Sequence, residues 1–87
     1  MTKRAAYYAL LELGYTKSRA LLLSYNSYPF MTFDTLFMYN AKGFTYVVDT
    51  KNMTVDAVNR KTGADEINIK FDDFKKTVAA QEGVSYA

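Results

Sequence analysis

Two acidic pairs, Asp65-Glu66 and Asp72-Asp73, are the groups in this chain best suited to general acid–base work or to holding a hard cation. Neighbouring carboxylates can divide such roles when their surroundings push their proton affinities apart. Both pairs also have simpler uses. The first falls in a turn. The second falls at a helix start, where Asp caps free N–H groups and meets the positive end of the helix dipole. Neither spacing matches a calcium-binding loop. The chain has no histidine and no cysteine. That removes the commonest general base, the thiolate nucleophile and the usual transition-metal ligands. Ser18, Ser24, Ser27 and Ser85 therefore have no imidazole to activate them. Gly14, Gly43, Gly63 and Gly83 are isolated, so no glycine-rich loop cradles a phosphate. The expectation is a protein that is not an enzyme, with no catalytic residue, no metal and no cofactor.

The elements that would position any site are organised around Thr35 to Phe71. Runs of aromatic and β-branched residues alternate there with turn signals at Asn40–Gly43, Asp49–Asn52 and Arg60–Asp65. Three turns imply four strands, roughly Thr35–Asn40, Phe44–Asp49, Met53–Asn59 and Ile67–Phe71. A three-residue first loop pairs Asn40 with Phe44, and a four-residue second loop pairs Val48 with Met53. Period two then puts Leu36, Met38, Phe44, Tyr46, Val48, Met53, Val55, Ala57, Ile67, Ile69 and Phe71 on one face, the expected core. Phe37, Tyr39, Thr45, Val47, Thr54, Asp56, Val58, Asn68 and Lys70 take the other, mixed face.

Helices flank the sheet. Thr2 caps a helix over Lys3–Leu13, stopped by Gly14, with Ala6, Ala9, Leu10 and Leu13 on one stripe. Thr16 caps a second over Lys17–Tyr25, in which the apolar block Ala20–Leu23 reads as well buried, against the sheet. Pro29 ends it. Phe30 to Phe33 reads as either a loop or the start of the first strand. Asp72 or Asp73 caps a last helix that runs to Glu82 and stops at Gly83, and Val84–Ala87 is expected to fray. The fold expected is α+β: an N-terminal αα-hairpin, a four-stranded antiparallel β-meander, and a C-terminal helix packed on one sheet face. Residues 1–87 form one domain of modest core.

Charge limits the partners. Eleven basic and nine acidic residues leave +2, too balanced to argue for nucleic acid by itself. The first half is the basic one, with Lys3, Arg4, Lys17, Arg19 and Lys42 against Glu12 and Asp34. No acid falls between Leu13 and Phe33. No long apolar run suggests a membrane span, and the absence of cysteine fits a reducing compartment, so a soluble, cytoplasmic protein is expected.

The segment Leu13-Gly14-Tyr15-Thr16-Lys17-Ser18-Arg19-Ala20-Leu21 resembles the turn and second-helix start of a helix-turn-helix in resolvase-like and repressor-like DNA readers. The resemblance implies that Gly14 makes the turn and Tyr15 packs between the helices. It also implies that Thr16, Lys17, Ser18 and Arg19 face the DNA. A DNA-binding protein that uses residues 5–25 is therefore the alternative reading. A sheet platform stacking bases on Phe37 and Tyr39 is a third, opposed by Asp56 on the same face.

The reading preferred on sequence is a protein-binding module. Eight Tyr and six Phe are many for this length, and Tyr suits interfaces because it joins a large apolar body to a polar tip. The expected contact residues are Tyr15, Lys17, Arg19, Tyr25, Tyr28, Phe37, Tyr39 and Lys42, with Phe30 beside them. The expected role is an inhibitor or adapter of a larger protein, acting as monomer or homodimer. Phages and mobile elements encode small proteins of this kind against bacterial defence systems.

Overall fold

The computed structural model describes residues 1–29 and 35–83. The expectations for Phe30–Phe33 and Val84–Ala87 lie outside these residues. The elements run α1 (Lys3–Glu12), α2 (Lys17–Tyr25), β1 (Tyr28–Pro29), β2 (Leu36–Ala41), β3 (Phe44–Asp49), β4 (Thr54–Asn59), β5 (Asp65–Lys70) and α3 (Phe71–Glu82). The strands form one antiparallel sheet in the order β1-β2-β3-β4-β5. The fold is α+β with the expected meander, extended by the two-residue β1 on the outer edge of β2.

Local chemistry explains the helix limits. The Thr2 hydroxyl accepts from the Ala5 N–H at 3.1 Å and that of Thr16 from the Arg19 N–H at 3.3 Å, so each helix starts on a side-chain cap. Gly14, at φ +100°, turns the chain between them. Gly83, at φ 67°, closes α3 in the left-handed conformation that glycine adopts freely. The α3 N-cap position falls to Lys70, which makes no side-chain cap. Asp72 and Asp73 sit instead in the first turn, where they complement the dipole.

The helices cover one face of the sheet. Ala6, Ala9, Leu10 and Leu13 from the first helical segment, Ala20 and Leu23 from α2, and Phe71, Phe74 and Val78 from α3 close over Phe37, Tyr39, Ala41, Tyr46, Val48, Val55 and Ala57. Aromatic rings tie the layers together. Tyr39 and Tyr46 face each other across β2 and β3 with centroids 5.2 Å apart, and Phe74 meets Tyr46 edge-on at 5.0 Å.

The expected face of β2 is corrected. The first hairpin loop has two residues, because Ala41 pairs with Phe44. Lys42 and Gly43 both take positive φ, 53° and 83°, the signature of a type I′ turn. Ala41 belongs to the strand. That single-residue shift turns β2 over. Phe37 and Tyr39 point inward and are fully buried, while Leu36 and Met38 lie on the uncovered face and are only partly buried.

Two further core expectations change. Met53 sits at φ 57° in the β3–β4 loop and is exposed. On β5, Ile67 and Asn68 together oppose Asp56, a β-bulge. Asn68 takes φ 58° and its N–H donates to Asp56 Oδ1 at 2.7 Å. The bulge turns Ile67 into solvent while Ile69 still packs on the core. Phe71 is buried as expected, but as the first residue of α3.

Candidate protein-docking face on α2

Helix α2 is apolar on two sides. At about 100° per residue, Ala20, Leu23 and Ser24 fall on one side and are buried. Ser18, Leu21, Leu22 and Tyr25 follow the i, i+3, i+4, i+7 spacing on the other. Leu21 is 63% exposed, Leu22 52% and Tyr25 73%. The expectation that the whole Ala20–Leu23 block is buried is thereby corrected. The small Ala20 and Ser24 let the helix sit close on its inner side.

This ridge stands between two shallow hollows. Towards α1, a groove of about 240 Å³ is lined by Lys3, Arg4, Tyr7, Leu21, Ser24 and Tyr25. Towards the sheet edge, one of about 220 Å³ is lined by Arg19, Leu22, Leu23, Asn26, Tyr28, Tyr39 and Asn40. Lys3 braces the first groove. Its ammonium donates to the Tyr25 carbonyl and lies 5.1 Å from the Tyr25 ring centroid. That contact closes the free end of the αα-hairpin and brings α1's first turn beside α2's last.

The residues expected from sequence divide into three groups. Tyr25 and Tyr28 are exposed and lie at the C-terminal end of the ridge, and Lys17 is exposed at its N-terminal end. Lys42 is exposed on the β2–β3 turn and lines neither hollow. Tyr15, Phe37 and Tyr39 are core, so the expectation that they lie on an exposed contact surface is corrected. Arg19 is half-buried and pairs with Glu82 at 3.1 Å, tying α2 to the end of α3.

The buried tyrosines serve the interior. Tyr15 and Tyr39 share a hydrogen bond between their hydroxyls at 2.8 Å. Burial pushes both ionisations well above the ordinary tyrosine range; the shared hydrogen bond offsets part of this for Tyr15, while the negative charge of an ionised Tyr15 pushes Tyr39 further up. The Tyr46 hydroxyl accepts from Gln81 Nε2 at 2.8 Å. Burial raises Tyr46 as well, partly offset by that donor.

Of the groups first considered for chemistry, Ser24, Ser27 and Asp72 have structural partners. Ser24 Oγ donates to the Leu21 carbonyl at 3.0 Å and Ser27 Oγ to the Ser24 carbonyl at 2.7 Å. Asp72 pairs with Lys75 at 3.4 Å on the surface. Among the described residues no three acidic side chains gather closely enough to hold a metal ion. No helix among them is long and apolar enough to cross a membrane.

Sequence reasoning missed Leu21, Leu22, Lys3 and Arg4 as site residues. The spacing of Leu21, Leu22 and Tyr25 was a usable signal for a second stripe. The approach of Lys3 and Arg4 depends on the hairpin closing and has no local signal. No protein family, curated protein or solved structure matches the chain.

Proposed function

We propose that this protein is a small non-enzymatic binding module that docks on a larger protein through the outward face of α2, as an inhibitor or adapter. One observation carries the reading: in a helix of nine residues, Leu21, Leu22 and Tyr25 are turned to solvent while Ala20 and Leu23 supply the core contacts. Adjacent exposed apolar side chains on one rigid element mark interaction sites more often than isolated ones do. An inhibitor encoded by a phage or mobile element works by such occupancy.

The DNA-reading alternative draws support from the exposed Lys17 and Ser18 and from the positive-φ turn at Gly14. It has less support further along the helix. Arg19 is engaged by Glu82, and the next outward positions are Leu21 and Leu22, which donate no hydrogen bond to base edges or phosphates.

The test is quantitative capture from the source lysate, with nuclease present, comparing the natural chain with Leu21→Ser, Tyr25→Ser and Lys42→Ala. The expected result is one protein retained by the natural chain and Lys42→Ala and lost by the two α2 variants. Burying a half-exposed leucine contributes about 1–2 kcal/mol, so each α2 change should weaken binding roughly tenfold. Capture that ignores Leu21 and Tyr25, or that vanishes with nuclease, would remove the proposal.

A further inference from the structure

Granting the docking face, its chemistry narrows the occupant. We infer that the groove between α1 and α2 receives an acidic amphipathic helix of a protein partner. Its floor is apolar, from Tyr7, Leu21 and Tyr25, and its wall is cationic, from Lys3 and Arg4. Neither cation forms an ion pair among the described residues. The first turn of α1 carries no acidic side chain that would compete for them. Glu12, the only acid before Asp34, lies at the opposite end of α1. A helix that lays apolar side chains along such a floor at i, i+3, i+4 and i+7 places its flanking residues against the wall. Carboxylates there would be attracted and ammonium groups repelled.

The other occupants fit less well. A second copy of this chain offers no such helix: α2 exposes Leu21, Leu22 and Tyr25 but carries no acid, α1 carries Glu12 alone, and the exposed residues of α3, Asp72, Asp73, Lys76, Thr77 and Ala80, include no large apolar side chain. An anionic bilayer, being flat, would meet the exposed Leu21, Leu22 and Tyr25 but not the half-buried Tyr7 between the two helices. Its attraction to Lys3, Arg4 and Lys17 contributes only about 1 kcal/mol per cation. A nucleic acid would use the cations and leave the apolar floor uncovered.

The test uses a labelled synthetic peptide of about five helical turns, built from Leu on one face and Glu on the other, and a twin with Lys for Glu. Binding to the whole chain is read by fluorescence anisotropy and located by amide chemical-shift changes. The Glu peptide is expected to bind about tenfold more tightly than its twin, with shifts at Tyr7, Leu21 and Tyr25. Leu21→Ser should weaken it about tenfold, and Lys3→Glu with Arg4→Glu should reverse the preference. Lys3→Glu also removes the brace on the Tyr25 carbonyl, so the amide spectrum of the unliganded double variant checks that the groove is intact, and Arg4→Glu alone, at an exposed residue without that contact, should by itself narrow the preference. Equal binding of the twins, no binding of either, or shifts centred elsewhere would overturn the inference. So would vesicles containing phosphatidylserine, a random DNA duplex or self-association taking over the Leu21 dependence. The two readings fail separately. If the captured protein still depends on Leu21 but tolerates the Lys3/Arg4 reversal, the docking face stands and the acidic helix falls.

Discussion

Replacing both members of the Tyr15–Tyr39 pair by phenylalanine should leave stability at neutral pH nearly unchanged and make the protein more resistant to alkali than the natural chain. The two hydroxyls satisfy each other at 2.8 Å in the interior. Removing both leaves no stranded polar group, whereas Tyr15→Phe alone leaves the Tyr39 hydroxyl buried and unpaired, at about 1–3 kcal/mol. At high pH the logic changes. Burial raises both folded-state ionisations above the ordinary value of 10.0. The folded chain therefore keeps protons that the unfolded chain has shed. The associated stability is complete below pH 10 and is lost as pH climbs from there towards the folded values. By linkage each tyrosine costs on the order of 1 kcal/mol at pH 11, and the pair roughly 2–3 kcal/mol. In a chain of 87 residues, that is roughly 15 °C in Tm. Thermal unfolding followed by far-UV circular dichroism from pH 7 to about 11.5 compares the natural chain with the double variant, so that lysine titration common to both cancels. Parallel curves for the two proteins would refute the buried, mutually paired arrangement.

Two further substitutions test the fold. Phe37→Ala should cost about 3–5 kcal/mol by opening a cavity, while Leu36→Ala on the uncovered face should cost about 1 kcal/mol or less. Equal losses in urea unfolding would contradict the two-residue hairpin loop. Gly14→Ala should cost about 1–3 kcal/mol through its φ of +100° rather than through a clash, since an added Cβ comes no closer than 4.0 Å to Lys75 and Val78. A Gly14→Ala protein as stable as the natural one would mean that the α1–α2 turn relaxes to another geometry.

The helices were legible because their boundary signals are local. Thr2, Thr16 and Gly83 each act through bonds or dihedrals within one turn of their own position. The sheet was legible as a set of strands for the same reason, and the relative facing of β3 and β4 followed from period two. The face of β2 did not follow. Leu36 and Met38 alternate with Phe37 and Tyr39, so either setting puts apolar residues inside. The decision rests on whether Ala41 is strand or loop and on the larger area that two rings bury. The β5 bulge was equally hidden, because the positive φ of Asn68 is secured by Asp56, twelve residues away in the chain. The candidate docking face was half legible. Tyr25, Tyr28 and Lys17 were identified from their residue types, but the leucines could not be assigned to core or surface without knowing which side of α2 meets the sheet. Lys3 and Arg4 come to the groove only through the packing of α1 on α2.

The order of the strands has a kinetic consequence. Every ladder in the sheet joins strands that follow one another in the chain. No long loop must close before the first pairing is rewarded, so the entropic barrier to assembling the sheet is low. The β2–β3 hairpin is the natural place to begin: its two-residue turn is pre-twisted for the strands, and Tyr39 meets Tyr46 as soon as it zips. The helices at the two ends of the chain then condense onto a platform that already exists. Lys42, whose positive φ shapes that turn, would by this reasoning influence how fast the protein folds.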